Sequence, residues 1–405
     1  MKKSGSADLP LHNGHVPRWL SERMAKLGLS IVETIALEFS TEEVIDKLAN
    51  PFWFQSLGAV MGMDWHSSGI TTSVLGALKR SVNPHAKDLG IYICGGKGKH
   101  SMKTPTELLQ VGDRTGLNGN ELARLSKLTA KVDNTAVQDG FNLYQHNFIV
   151  DNKGNWCVIQ QGMNGLTNMA RRYHWHSKDL KSYINEPHTF IYGQNQGQIL
   201  NLTSARATDT REKSLLLTAE KPGKVITEIQ RLIMPRHHDV KMKDVNMKRL
   251  GAMLWLAHEN NPENFEELLL LKGMGPRTIQ SLALVSEVIY GTPSRFDDPA
   301  RFSFAHGGKD GHPFPVPTKV YDETISTLQK AIDRAKIGNS DKMSAIKKLS
   351  EISQQAEKNF EPNDNFKALI EKERNESYKY GGKTIFGDAK PPKNSDNDSG
   401  QLRLF

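Results

Sequence analysis

Asp133, Asp139, His146 and His174 are the side chains whose types and order most suggest chemistry. Carboxylates a few residues apart can hold Mg²⁺ or Mn²⁺ around a scissile phosphate, and a nearby imidazole can move a proton. Metal-dependent phosphodiester cleavage is the reaction such a set implies, with Asp139 the first choice of essential carboxylate. Lys309, Asp310 and His312 form a second group on the glycine-rich run 304–313, able to bind phosphate or metal or to supply acid–base groups. Arg171 and Arg172, just before His174, add cations for phosphate, and Trp175 a ring on which a base could stack. A lone histidine is more often a structural hydrogen-bonding group, so the set acquires meaning only if its members meet. Clustering around one cleft points to an enzyme. Dispersal points to a non-catalytic DNA-binding adaptor.

A separate signal concerns phosphate. Phe265 to Thr278 resembles a helix-hairpin-helix DNA-binding motif through Leu271-Lys272-Gly273-Met274-Gly275-Pro276-Arg277-Thr278. Gly273 and Gly275 allow a tight reversal and close approach of backbone to phosphate. Pro276 suits the first turn of the following helix, whose N-terminal N–H groups and dipole attract an anion. Lys272, Arg277 and Thr278 are placed to add contacts, none of which reads base sequence. Helix-hairpin-helix glycosylases offer a comparison that fits poorly. Their catalytic Asp is replaced by Pro317 and their lyase Lys by Arg277, which stays charged. Asp297, Asp298 and Asp322 are substitutes for an atypical glycosylase. The strand Trp156–Ile159 also lacks the Glu-x-Lys of a restriction-type nuclease.

Charge supports nucleic acid as partner. The 405-residue chain carries 53 basic and 45 acidic residues, a net charge of +8. Between Gly76 and Lys131 ten Lys or Arg face four Asp or Glu, a local +6. Within that stretch Gly95-Gly96-Lys97-Gly98-Lys99 follows a strand-like run and departs from the GxxxxGK[ST] pattern, so Lys97 and Lys99 are read as a loop holding nucleic-acid phosphates. No apolar run approaches a membrane span, and two separated cysteines, Cys94 and Cys157, suit a reducing cytoplasm.

The elements that must position these groups are legible in outline. Apolar spacing predicts helices through Trp19, Leu20, Met24, Leu27, Ile31, Ile35 and Leu37, with Ser40-Thr41-Glu42-Glu43 as a capping box. Ile91–Cys94, Phe148–Val150, Trp156–Ile159 and Thr189–Tyr192 read as strands, the middle two joined as a β-hairpin over 141–161. Helices are predicted near Lys224–Ile233 and over Phe265–Leu271, Pro276–Tyr290, Tyr321–Lys336 and Lys342–Phe360. The expected class is α+β and mainly helical. It comprises a helical region over 1–90, a small central α/β domain over 91–244 and a helix-hairpin-helix domain over 245–360. Residues 361–405 are read as a helix and then a disordered tail.

That tail ends in Gln401-Leu402-Arg403-Leu404-Phe405, after a stretch too polar to build a core. The ending resembles the QLxLF peptide with which replication and repair proteins bind the bacterial sliding clamp. The resemblance implies that Gln401, Leu402, Leu404 and Phe405 dock in a clamp pocket. Residues 1 to about 345 resemble the domain-of-unknown-function 763 family of archaeal and bacterial proteins. The matching stretches are Ala7–His12, Asp64–Gly69, Gln138–Gly140, Gln160–Asn164, Ala170–Trp175 and Phe304–His312. This resemblance implies no particular reaction. The expected protein is a cytoplasmic DNA-binding factor of genome maintenance tethered to a sliding clamp, foremost an enzyme that cleaves phosphodiester bonds, with a non-catalytic adaptor as the alternative.

Overall fold

Two apolar runs, Phe148-Ile149-Val150 and Trp156-Cys157-Val158-Ile159, are buried on both sides of the sheet they form, which calls for a layer of helices on each face. The computed structural model describes residues 9–10, 16, 18–63, 68–167, 169–178, 180–231, 247–300, 318–334, 338–358, 383–384 and 387–388. It is α+β and mainly helical, as the sequence implies.

The strands up to residue 297 are β1 (Leu9–Pro10), β2 (Ile91–Lys97), β3 (Val137–Gln138), β4 (Asn142–Asp151), β5 (Trp156–Asn164), β6 (Met169–His176), β7 (Phe190–Tyr192), β8 (Gln198–Asn201) and β9 (Phe296–Asp297). The main sheet runs β1-β6-β5-β4-β2 with β7 also on β6, every pairing antiparallel. A smaller antiparallel sheet runs β3-β8-β9. The β4–β5 hairpin is the one the sequence predicts, paired from Val150↔Trp156 to Asn142↔Met163.

Alternation sorts the sheet residues between two cores. Ile91, Ile93, Ile149, Cys157 and Ile159 face the helices α1 (Arg18–Glu38), α2 (Thr41–Ala49), α3 (Pro51–Val60) and α4 (Gly69–Val82). A short α5 (Ala86–Leu89) leads into β2. Tyr92, Cys94, Phe148, Val150, Trp156, Val158 and Trp175 face the other way. Their core is completed by α6 (Thr104–Thr115), α7 (Gly119–Lys131), α8 (Thr208–Ala219), α9 (Pro222–Arg231), α10 (Met247–Asn260), α11 (Phe265–Leu270) and α12 (Pro276–Tyr290). Two later helices, α13 (Thr318–Arg334) and α14 (Asn339–Lys358), return to the first face through Leu328, Ile332 and Leu349. One sheet therefore serves both helical layers. Residues 1–356 form one compact unit, within which the segments 1–90, 91–244 and 245–356 are regions that share cores.

Local signals act as expected in several places. The Ser40 hydroxyl accepts the Glu43 N–H at 3.0 Å, capping α2, and Asn50 caps α3 through the N–H groups of Phe52 and Trp53. Of the residues at helical spacing, Trp19 and Leu37 are exposed at the two ends of α1, while Met24, Ile31 and Ile35 are buried. Lys383–Thr384 and Gly387–Asp388 pair as a separate two-stranded ribbon within 357–405.

Candidate functional site

The main sheet is apolar at one end and polar at the other, on both faces. Moving along the strands from Phe148, Val158 and Trp175, the next inward-facing residues are His146, Gln160 and Tyr173, all buried. Three of the stretches that carry the family resemblance, Gln138–Gly140, Gln160–Asn164 and Ala170–Trp175, meet at this polar end. Leu9–Pro10 pairs there with Met169–Ala170, and the Ser68 carbonyl accepts from Gln161.

On the face toward α7, a chain of hydrogen bonds runs inward to Asp133. Asp133 sits on a π-helical turn, Val132–Ala136, between α7 and β3. Its Oδ2 accepts from Gln160 Nε2 at 2.5 Å and from the Trp175 indole N–H at 3.0 Å, while Oδ1 pairs with His188. That orients the rest. Gln160 Oε1 must accept, so His146 Nδ1, 2.8 Å away, carries its proton. His146 Nε2 then accepts from the Ser126 hydroxyl at 2.8 Å. Burial pushes the His146 imidazole down to about 4 and raises the Asp133 carboxyl, the latter against the pull of His188 and Trp175. Ser126, His146 and Gln160 have the order of a nucleophile, a base and its orienting group. All three are buried and the base is weak, so the chain fixes geometry and presents no nucleophile to solvent.

Asp139 belongs to a neighbouring network. Its Oδ2 accepts from Arg171 and from the Tyr173 hydroxyl, both at 2.7 Å, and Oδ1 takes the Phe141 N–H at 3.0 Å. Arg171 also spans both oxygens of Asp298, at 2.9 and 2.7 Å, and its guanidinium lies 4.7 Å from the Phe141 ring. Burial disfavours this cation, yet the two carboxylates outweigh it and raise the Arg171 pKa. Asp298 is closed from the other side by the N–H groups of Gln196 and Ala300.

The opposite face holds Arg172 and His174. Arg172 Nε donates to His174 Nε2 at 2.9 Å, and its terminal nitrogens reach Gln55 Oε1 at 3.0 Å and Thr71 Oγ1 at 3.3 Å. Phe54 and Tyr192 flank the guanidinium at 4.8 and 5.2 Å. Burial lowers Arg172 to about 10, and burial with the Arg172 charge holds His174 well below its usual value.

Several expectations are revised by these positions. Arg171 and Arg172 are wholly buried and bonded inward, so neither is a surface contact for nucleic acid; alternation along β6 sends them to opposite faces. Trp175 is likewise interior and bonds Asp133 instead of offering a stacking surface. Asp133, Asp139 and His146 share one face, and His174 lies on the other. The four therefore do not line one cleft. Each oxygen of Asp133 and of Asp139 already accepts a protein donor, and a divalent cation there would face Arg171 or displace these donors, so the pair does not fit Mg²⁺ or Mn²⁺. Among the described residues, no group of three or more His, Cys, Asp or Glu could hold a metal. Lys309, Asp310 and His312, and the terminal Gln401, Leu402, Leu404 and Phe405, lie outside the described residues. Ser126, His188, Gln55 and Thr71 were not legible as partners. Each approaches from a distant segment without a local sequence signal.

The helices predicted over Phe265–Leu271 and Pro276–Tyr290 are present as α11 and α12, joined by a short turn. The Asn264 side chain caps α11, and Phe265, Leu268, Leu269, Met274 and Ile279 join the core. Gly273 adopts φ +90°, a left-handed conformation that favours glycine, and a Cβ there would lie 3.1 Å from Met253 Sδ. Gly275 accepts from the N–H groups of Thr278 and Ile279, starting α12 with Pro276 in its first turn. Lys272 and Arg277 are exposed on either side of this turn, whereas Thr278 is buried. Arg249, from α10, comes within 3.8 Å of where a Gly275 Cβ would stand, a further cation that the motif did not announce. Two links tie the turn to the sheet layer: Lys131 Nζ donates to the Met274 carbonyl, and Gln138 Nε2 to that of Pro276 at 2.7 Å. Lys97 and Lys99 are exposed where β2 ends and a 3₁₀ turn, Gly98–Lys103, begins.

The chain is thus an α+β protein with two helical layers on one sheet, a glycine turn flanked by exposed Lys272 and Arg277, and buried polar networks inside. The family described as "Protein of unknown function (DUF763)" matches residues 5–316, and the chain belongs to that family. Neither the curated proteins nor the solved structures contain a match to this chain.

Proposed function

We propose that this protein binds DNA without sequence preference through the turn Lys272–Thr278, and that it acts in genome maintenance as a binding factor. One observation carries the proposal. A left-handed glycine turn leads directly into the N-terminus of the 15-residue helix α12, with Lys272 and Arg277 exposed beside it. Pro276 has no N–H and that of Thr278 bonds the Gly275 carbonyl, so the Arg277 N–H together with the helix dipole favours a phosphate. Lys97 and Lys99 supply a second cationic contact with the backbone. DNA is the partner, and Gln401–Phe405 tethers the protein to a sliding clamp in the cytoplasm. No helix among the described residues is long and apolar enough to cross a membrane.

A binding adaptor accounts for the interior better than a DNA-cleaving enzyme built on Asp133 and Asp139. Their oxygens are engaged by His188, Gln160, Trp175, Arg171 and Tyr173, and His174 lies across the sheet. Asp298, one of the three substitute acids for an atypical glycosylase, is committed to Arg171. The test replaces Gly273 and Gly275 by valine and measures binding to labelled duplexes of unrelated sequence. Loss of affinity for all sequences supports the proposal, and unchanged affinity in a correctly folded double variant removes the hairpin from it. Incubation of the parent protein and Asp139→Asn with labelled DNA and Mg²⁺ or Mn²⁺ separates adaptor from nuclease. Cleavage by the parent that Asp139→Asn abolishes would restore the enzyme.

A further inference from the structure

The connection between β5 and β6 ends in an exposed apolar tip. Asn164 Oδ1 accepts the N–H of Leu166 at 2.9 Å and of Thr167 at 3.3 Å, so the turn is held by a side chain and does not depend on packing. Leu166 is 96 % exposed and Met163 is 42 % exposed. Scattered surface leucines are ordinary, but this one crowns a turn at the polar end of the sheet. Its neighbours matter more than its exposure. The register Lys97↔Gln145↔Gln161 places the basic loop at that same end, two residues short of Met163. On the other side Asn164 Nδ2 lies 3.1 Å from where a Cβ on Gly140 would be, and Gln138 bonds the Pro276 carbonyl of the helical hairpin. The apolar tip thus lies at the same end of the sheet as the Lys97–Lys99 loop and is joined to the helical hairpin through Gly140 and Gln138.

We infer that the Met163–Leu166 tip is a wedge that enters a base step of duplex DNA held by the helical hairpin and the Lys97–Lys99 loop. The inference rests on the DNA-binding function proposed above and names its substrate class: duplexes whose stacking is already weakened, such as those with a mismatch or a nick. Phosphate contacts on either side hold the backbone, and apolar side chains inserted between base steps unstack and kink the duplex. Unstacking costs least where pairing is already imperfect, so the wedge converts a sequence-independent grip into a preference for damaged or bent DNA.

The test uses the full chain with matched and mismatched duplexes carrying 2-aminopurine at the central step, and compares the parent with Leu166→Ser. The exposed position makes the variant safe for folding, which circular dichroism checks. The parent is expected to bind the mismatched duplex about tenfold tighter than the matched one, with a several-fold rise in 2-aminopurine fluorescence. Leu166→Ser should lose most of the fluorescence rise and the mismatch preference. Binding by the parent with no fluorescence change, or a Leu166→Ser variant that retains both signals, overturns the wedge and leaves the DNA-binding function standing. Absence of binding to any duplex overturns both.

Discussion

Replacing His146 by asparagine should make the protein less sensitive to acid. The parent imidazole is 5 % exposed, with its ring nitrogens bonded to Gln160 and Ser126, and burial holds its pKa at about 4 against an ordinary 6.5. A depressed value means that the unfolded chain takes up a proton that the folded one refuses. His146 therefore contributes its full stability above pH 6.5 and loses it as the pH falls toward 4. Between pH 7.5 and 5.0 the two protonation curves separate by about 1.5 pH units, which is about 2 kcal/mol. His174, also held neutral by burial, titrates in the same direction and remains in both proteins, so the comparison isolates His146. Asparagine suits the test because its Nδ2 can donate to Gln160 as His146 Nδ1 does, without titrating. Urea unfolding of both proteins at the two pH values, followed by tryptophan fluorescence, measures the difference. The parent should lose about 2 kcal/mol more than His146→Asn on acidification. Equal losses would mean that His146 is solvated in the folded protein with an unshifted pKa, and the hydrogen-bond chain from Ser126 to Asp133 would have to be abandoned.

Other outcomes follow from the same contacts. Asp133→Ala should destabilise the protein by about 3–5 kcal/mol, because Gln160, Trp175 and His188 lose a buried acceptor together; chemical denaturation reads this directly. Asp139→Asn should cost about 3 kcal/mol by weakening a buried ion pair with Arg171, so a fall in melting temperature should accompany any change in DNA binding. Truncation after Gly400 should abolish binding to the purified sliding clamp while leaving DNA affinity unchanged, and titration of the clamp against both proteins decides it.

Helical periodicity made the hairpin easy to find: Pro276–Tyr290 has the expected limits, and the Ser40 cap and the β4–β5 hairpin form as their local signals imply. These features depend on neighbours in sequence. The strand Met169–His176 was harder, because Arg171-Arg172-Tyr173-His174 reads as a polar surface until its partners are assembled. Alternation buries Arg171 against Asp139 and Asp298, and Arg172 against Gln55 and Thr71. Each pair joins segments far apart along the chain, so no window of sequence contains both halves of the contact. The same limit applies to the candidate catalytic set. Composition could nominate Asp133, Asp139, His146 and His174, but only the register of β4, β5 and β6 decides which share a face. Exposure at Trp19 and Leu37 illustrates the converse, since apolar spacing marks a helix without saying where its covered stripe stops.

The salt dependence of DNA binding tests the central proposal most directly. Fluorescence anisotropy with a labelled duplex, over a series of salt concentrations, gives the number of phosphates neutralised by the parent and by the Lys272→Ala/Arg277→Ala double variant. Both side chains are exposed beside Gly273, so their removal leaves the core intact. The double variant should bind more weakly across all sequences, with a slope of log K against log salt that is shallower by about 2, one phosphate contact for each cation lost. Equal affinity and equal slope for the two proteins would contradict it.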